Sequence, residues 1–254
     1  MIDLSVTRDW SIFNAQAYLQ EYYADIGAEN LAILDFLVRT LRDVSPESVL
    51  LDFGGGPTLY SLIASANHAR EIHFCDYLDS NLEQVQMWLE GHPQAFDWTA
   101  FIETTLILEE ADCSKSSIVL RENEIRQRVT RILHGDANLS RPIQTDVSGY
   151  DVLVSNFCAE SATEDIEQWR KFVRNITSLI KPGGKLIMST LKGATSYGVG
   201  NDVFPAVNIM EADLNDLLIN LGFDRTTIEI DSVPADRPSR HYQGLIFVTA
   251  IKAA

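Results

Sequence analysis

Val49-Leu50-Leu51-Asp52-Phe53-Gly54-Gly55-Gly56-Pro57-Thr58-Leu59-Tyr60 runs from a short apolar segment through three glycines into a helix-compatible stretch. That order reads as a buried strand, a tight loop and the start of a helix. Glycine permits positive φ and close approach of a ligand to the backbone. The helix start offers unpaired N–H groups and a positive dipole end, suited to a carboxylate or phosphate. The same turn also arises for steric reasons alone, so the loop needs a second observation. Asp76 supplies it, closing the next apolar run, Glu71-Ile72-His73-Phe74-Cys75-Asp76. An acidic side chain at that place accepts the ribose hydroxyls of a nucleoside. A dinucleotide fingerprint needs a glycine where this chain has Leu59, which argues against NAD and FAD. Asp52 orients loop amides, meets an ammonium group or serves as a structural cap.

Outward from the loop, apolar runs alternate with helical patterns. A helix is expected from Asn81 to Glu90, then strands at Arg131–Asp136 and Tyr150–Asn156, and a helix over 164–180. A Lys181-Pro182-Gly183-Gly184 turn, a strand at Lys185–Thr190, a helix at Glu211–Leu221 and strands at Thr226–Asp231 and Gly244–Ile251 follow. The spacing predicts an α/β, Rossmann-like fold: a seven-stranded mixed sheet with helices on both faces, its last two strands forming a hairpin. We assign residues 1–254 to one domain, with a helical N-terminal cap over 1–45 and a mid-chain insert over 91–130. In the insert, Glu122 with Arg126 and Glu124 with Arg128 read as a solvated helix face. Ligands in open α/β sheets sit at the carboxyl ends of the strands. Asp52, Asp76, Asp136 and Asn156 close consecutive strands, and Asp136 suits an adenine amino group.

The 254 residues are 46% hydrophobic and 22% charged, enough for a sizeable core. Twenty Lys and Arg against 36 Asp and Glu leave a net charge of -16, which repels phosphate backbones and anionic lipids; no nucleic-acid or membrane partner is expected. No apolar run reaches the roughly 20 residues of a membrane span, and residues 1–10 lack a signal-peptide pattern. Cys75, Cys113 and Cys158 are widely spaced, so free thiols and a cytoplasmic location are expected. His68, His73, His92 and His134 have no metal-ligand spacing, and no metal is expected.

Several motifs resemble the S-adenosylmethionine-dependent methyltransferases that act on nicotinamide, phenylethanolamine and indolethylamine or thioethers. They are Tyr18-Leu19-Gln20-Glu21-Tyr22-Tyr23, Asp52 through Tyr60, Asp76-Tyr77-Leu78-Asp79-Ser80-Asn81, Ala95-Phe96-Asp97-Trp98, the Lys181–Gly184 segment and Ser196-Tyr197-Gly198-Val199-Gly200. The resemblance implies that S-adenosylmethionine is the cofactor and S-adenosylhomocysteine the product. It places Tyr18 and Tyr23 over the cofactor, with Gly54, Gly55, Gly56, Thr58 and Tyr60 beneath or beside its methionine end. Asp76 and Asn81 would hold the ribose, Asp136 and Ala137 would border the adenine, and Asn156 would sit by the sulfonium. Phe157, Thr190, Tyr197 and Tyr242 would bind the acceptor. Tyr18, Glu160 and His241 are the catalytic candidates, with Glu160 or His241 as counter-charge or general base.

The nicotinamide-methylating branch carries an aspartate where this chain has Thr190, and small hydroxyl residues at Ala194 and Ala206, so nicotinamide is not the expected acceptor. The expected reaction is N-methylation of an amine, guanidine or N-heterocycle by a monomer. S- or O-methylation and an inactive nucleoside-binding protein are the alternatives. The insert and the Val233–Gln243 loop, which carries Pro234, Asp236, Arg237, Pro238 and Arg240, are expected to shape the acceptor pocket.

Overall fold

The computed structural model describes residues 6–236 and 241–254; Arg237, Pro238 and Arg240 lie outside them. The seven strands are β1 (Val49–Phe53), β2 (Glu71–Asp76), β3 (Val129–His134), β4 (Tyr150–Asn156), β5 (Ile180–Lys192), β8 (Glu229–Pro234) and β9 (Gly244–Ile251). They form one sheet in the order β3-β2-β1-β4-β5-β9-β8. β1 through β5 pair in parallel, whereas β9 is antiparallel to both neighbours, β5 and β8. The order reverses beside β1, between β2 and β4, and the crevice at that switch point is where such sheets bind ligands.

Successive side chains on a strand face opposite layers. Leu50, Val152 and Ile187 therefore join a core under α2 (Gly27–Leu41), α3 (Tyr60–Ser65) and α5 (Thr99–Leu108). Leu51, Leu153 and Leu186 join the opposite core, under α7 (Ile166–Thr177) and α8 (Glu211–Asn220). The cap holds α1 (Ala15–Tyr23), whose Asn14 side chain accepts the Ala17 N–H at 2.9 Å, and α2, which begins at Gly27 with φ 55°.

Some expected boundaries move. Lys181–Gly184 is a distortion inside β5, with Gly183 at φ 77° and a register shift between Tyr150 and Val152. A 3-10 turn at Arg225–Thr227 pushes β8 three residues later, so Val233 and Pro234 belong to a strand and not to a loop. The insert is α5 followed by α6 (Lys115–Arg128), and the latter is not simply a solvated face. Arg121 is buried, bonded to Glu109 at 2.5 Å and to the Ile63 carbonyl at 3.0 Å. Glu122 does pair with Arg126, but Glu124 pairs with Arg121, and Arg128 donates to the Arg70 carbonyl. Tertiary acceptors outcompete the helix-surface pair there.

A second sheet, unforeseen in the sequence, is the hairpin of β6 (Ser196–Val199) and β7 (Asp202–Pro205). Thr7 N–H donates to the Val203 carbonyl at 2.8 Å, and Trp10 and Phe13 pack on Phe204 at 5.1 and 5.4 Å. The N-terminal segment and the hairpin thus roof the crevice. Among the described residues no helix is long and apolar enough to cross a membrane.

Candidate active site

The glycine loop between β1 and α3 is shaped by packing. A Cβ on Gly54 would lie 2.1 Å from Cys158 Sγ, and one on Gly55 would lie 2.2 Å from the Phe74 ring. Gly54 and Gly56 hold φ of 69° and 63°, a region that favours glycine. The Gly54 and Gly55 N–H groups donate to the Cys75 carbonyl at 2.8 and 3.3 Å, and the Gly56 N–H donates to Asp76 Oδ2 at 2.9 Å. These three amides already have protein acceptors. The loop therefore meets a ligand as a close, side-chain-free surface and not as a phosphate cradle, while Thr58 Oγ1 braces it on the Gly55 carbonyl at 2.6 Å.

Asp76 is the hub of the adenosine-sized end. Its Oδ1 accepts the Leu78 N–H and Asn81 Nδ2, both at 2.9 Å. Burial pushes its carboxyl above the usual carboxylate range, and its hydrogen-bond donors partly offset this. The buried Asn81 Oδ1 has no hydrogen-bond partner among the described residues. Asp136 and Ala137 line the same end; Asp136 Oδ1 holds its own turn through the Asn138 N–H at 2.8 Å, and the Ala137 carbonyl accepts from Asn175 at 2.8 Å.

At the centre, Asn156 Nδ2 donates to Ser61 Oγ at 3.1 Å, and its buried Oδ1 has no hydrogen-bond partner among the described residues. Beneath it, burial pushes the Asp52 carboxyl up to about 8, with the Ser61 hydroxyl opposing. Tyr23 stacks on Tyr60 with ring centres 5.5 Å apart, and the Tyr18 and Tyr23 hydroxyls meet at 3.5 Å. Burial holds these three phenols well above their ordinary range, hence neutral.

One cavity gathers Tyr18, Tyr23, Gly54, Gly55, Gly56, Thr58, Tyr60, Asp76, Asn81, Asp136, Ala137, Asn156, Phe157, Tyr197 and Tyr242. Phe157 enters it from a left-handed backbone, φ 52°. Three expected residues do not line it. Glu160 is buried behind the wall, accepting the Leu191 N–H at 3.0 Å, and burial pushes its carboxyl up to about 7 while that N–H and the nearby Thr190 hydroxyl oppose the shift. Thr190 is buried too, and His241 is exposed, its Nδ1 3.1 Å from Ser196 Oγ. Asp236, expected in the loop that shapes the acceptor pocket, does line the cavity; Trp10, Phe13, Glu29 and Asn30 line it without having been singled out. Their placement depends on contacts with β7 and the segment after β8, far away in sequence. Cys158 also lines it, but burial pushes its thiol up, away from a reactive thiolate.

A flat glycine floor, a carboxylate with an adjoining amide for a diol, neutral phenols and two unpartnered amide oxygens suit a nucleoside carrying a sulfonium. At a switch point in this sheet, they fit the class to which the family match below assigns the chain, the S-adenosylmethionine-dependent methyltransferases. The model of the NNMT/PNMT/TEMT family matches residues 4–253, and the chain belongs to that family. It is 28% identical to human nicotinamide N-methyltransferase, over 95% of this chain and 94% of that protein. It is 29% identical to phenylethanolamine N-methyltransferase of Rattus norvegicus, over 88% and 81%. In fold it is similar to Burkholderia thailandensis 1,6-didemethyltoxoflavin-N1-methyltransferase, solved with S-adenosylhomocysteine bound. There the TM-score is 0.55 and the identity 15%, over 100% of this chain and 93% of that one.

Proposed function

We propose that the protein moves the methyl group of S-adenosylmethionine to the nitrogen of a small amine, guanidine or N-heterocycle. The observation that carries this reading is a single cavity joining the Asp76–Asn81 corner to an aromatic chamber, in a chain whose human and rat relatives are named as N-methyltransferases. As the acceptor lone pair forms the N–C bond, the S–C bond of the cofactor breaks and its electron pair stays on sulfur, leaving a neutral thioether. The chain's own groups orient the partners and exclude water.

Asp76 and Asn81 hold the ribose hydroxyls, and Asp136 and Ala137 border the adenine. Gly54, Gly55, Gly56, Thr58 and Tyr60 underlie the methionine end, which Tyr18 and Tyr23 close. Asn156 lies beside the sulfonium, and Phe157, Tyr197 and Tyr242 face the acceptor. Glu160 and Thr190 act from behind the wall, Glu160 as a counter-charge titrating near neutrality. His241 steadies the β6–β7 hairpin through Ser196.

Because these groups lie in one chain, the working unit is a monomer, which sedimentation would check. Three free thiols suit a reducing cytoplasm, which fractionation of the source cells would check. The decisive experiment is titration of S-adenosylhomocysteine into the protein, followed by mass spectrometry of a panel of amines, thiols and phenols incubated with S-adenosylmethionine. Binding with methylation at nitrogen is the expected result. Methylation only at sulfur or oxygen replaces the acceptor class, and binding without any product leaves a nucleoside-binding protein.

A further inference from the structure

We propose that Asp52 is the residue by which this site tells its sulfonium cofactor from the thioether product. It releases a proton to solvent when S-adenosylmethionine binds and recovers one from solvent once the methyl group has left; this rests on the methyltransferase reading above. Asp52 stands on β1 between Phe74 of β2 and Val154 of β4 and is 1% exposed. Gly54, Gly55 and Gly56 line the cavity. The Asp52 carboxyl lies on the inner side of that floor, where a Cβ on Gly55 would meet the Phe74 ring at 2.2 Å and Asp52 Oδ2 at 3.1 Å. One glycine thus separates the carboxyl from the methionine end of the cavity.

The roles an aspartate ordinarily takes beside such a loop are filled by other groups. The Gly54 and Gly55 N–H groups donate to the Cys75 carbonyl and the Gly56 N–H to Asp76, so Asp52 does not orient the loop. The N-cap of α3, Leu59, has no side-chain cap bond, so Asp52 does not cap the helix either. What faces it is apolar, neutral or of its own sign: Phe74 and Val154 across the strands, Tyr60 and Ser61 from α3, Cys75 and Asp76 from β2, and Cys158 after β4. Among the described residues neither carboxyl oxygen has a hydrogen-bond partner. A carboxylate enclosed in this way is costly to ionise and holds its proton instead. Burial, opposed by the Ser61 hydroxyl and aided by the Asp76 charge, accordingly pushes it up to about 8.

A cation on the other side of the floor changes that balance. Opposite charge nearby favours the ionised carboxyl, and a buried pair is screened far less than an exposed one. The sulfonium is such a charge, and the thioether left after transfer is not. The amino-acid end and the ribose are common to both ligands, so contacts with Asp76 and the loop cancel in the comparison and the sulfur centre alone separates them. As pH rises toward about 8, Asp52 is ionised beforehand, and the preference for cofactor over product grows.

The test titrates the full chain with S-adenosylmethionine and, separately, with S-adenosylhomocysteine, in buffers of differing ionisation enthalpy, which counts the protons exchanged. At about pH 7.5 the cofactor should release about half a proton more from the wild type than from Asp52→Asn, as expected of a carboxyl that falls from about 8 to about 7. The product should show a much smaller difference between the two proteins. Thermal melting checks that the variant is folded. Infrared difference spectra of the wild type need no variant: the carbonyl stretch of a protonated carboxyl should weaken on adding the cofactor and persist on adding the product. An equal wild-type excess for both ligands, or a carbonyl band that neither ligand alters, overturns the proposal. So does a release that survives in Asp52→Asn and disappears in Glu160→Gln. If neither ligand binds the wild type, the cofactor reading falls instead.

Discussion

Asp76 Oδ2 accepts the Gly56 N–H at 2.9 Å, so the carboxylate that ends β2 fastens the loop that ends β1. Ligand contact and loop shape are coupled in one side chain. Asp76→Ala should therefore weaken S-adenosylhomocysteine binding by about 1.5–3 kcal/mol, the scale of a hydrogen bond to a charged group. It should also lower the melting temperature, because the Gly56 and Leu78 N–H groups lose their acceptor. Calorimetric titration and thermal melting read the two effects separately; unchanged affinity would move the ribose elsewhere.

Gly54→Ala tests the loop from its packing side. The added methyl would meet Cys158 Sγ at 2.1 Å and Cβ at 2.7 Å, at a φ that disfavours alanine. Overpacking of this kind costs about 1–3 kcal/mol. Cys158→Ala should rescue only part of the loss in urea unfolding, because its Cβ remains in the way.

Asp52 and Glu160 make stability depend on pH. Burial raises their carboxyls to about 8 and about 7, so the folded chain holds those protons more tightly than the unfolded one. Their contribution is full below the ordinary carboxylate range near about 4 and is lost as pH rises toward about 8. The urea midpoint should fall across that window, and Asp52→Asn should flatten the fall. An identical slope in the variant would show that Asp52 ionises elsewhere on the scale.

Turnover tests the wall behind the acceptor. Glu160→Gln should lower kcat by about tenfold, the scale of losing one charged interaction, and remove a limb of the pH–rate profile near about 7. His241→Ala, which releases Ser196 of the hairpin, should act mainly on KM. Wild-type kinetics in both variants would take the two residues out of the reaction.

The insert is secured by a buried charge. Arg121→Ala should destabilise the protein by about 3–5 kcal/mol, because it strands the Glu109 carboxylate. Replacing both by apolar residues, Arg121→Met with Glu109→Leu, should restore most of that loss in denaturant titrations.

The sheet was legible in the amino-acid sequence because strands buried on both faces read as short apolar runs, and because polar residues at or next to their ends, Asp52, Asp76 and Asn156, interrupt those runs visibly. The Asp76–Asn81 corner was legible for the same reason: the two residues are neighbours on one strand–helix turn. The β6–β7 hairpin was hidden, since Gly198 and Pro205 are poor strand formers and the pairing depends on the roof above it. Glu124 was paired with Arg128 because local spacing shows that partner, whereas the fold turns Glu124 toward Arg121, which Glu109 holds in the interior.

Local pattern thus determined the class of protein, the strands and the glycine-loop and Asp76 end of the cavity, where the residues that matter stand at the ends of apolar runs. The far end of the cavity was decided by tertiary structure alone. Glu29 and Tyr242 are 213 residues apart and Trp10 reaches Phe204 only through the folded roof; no periodicity carries information across such distances, because chain closure and packing create those neighbours together.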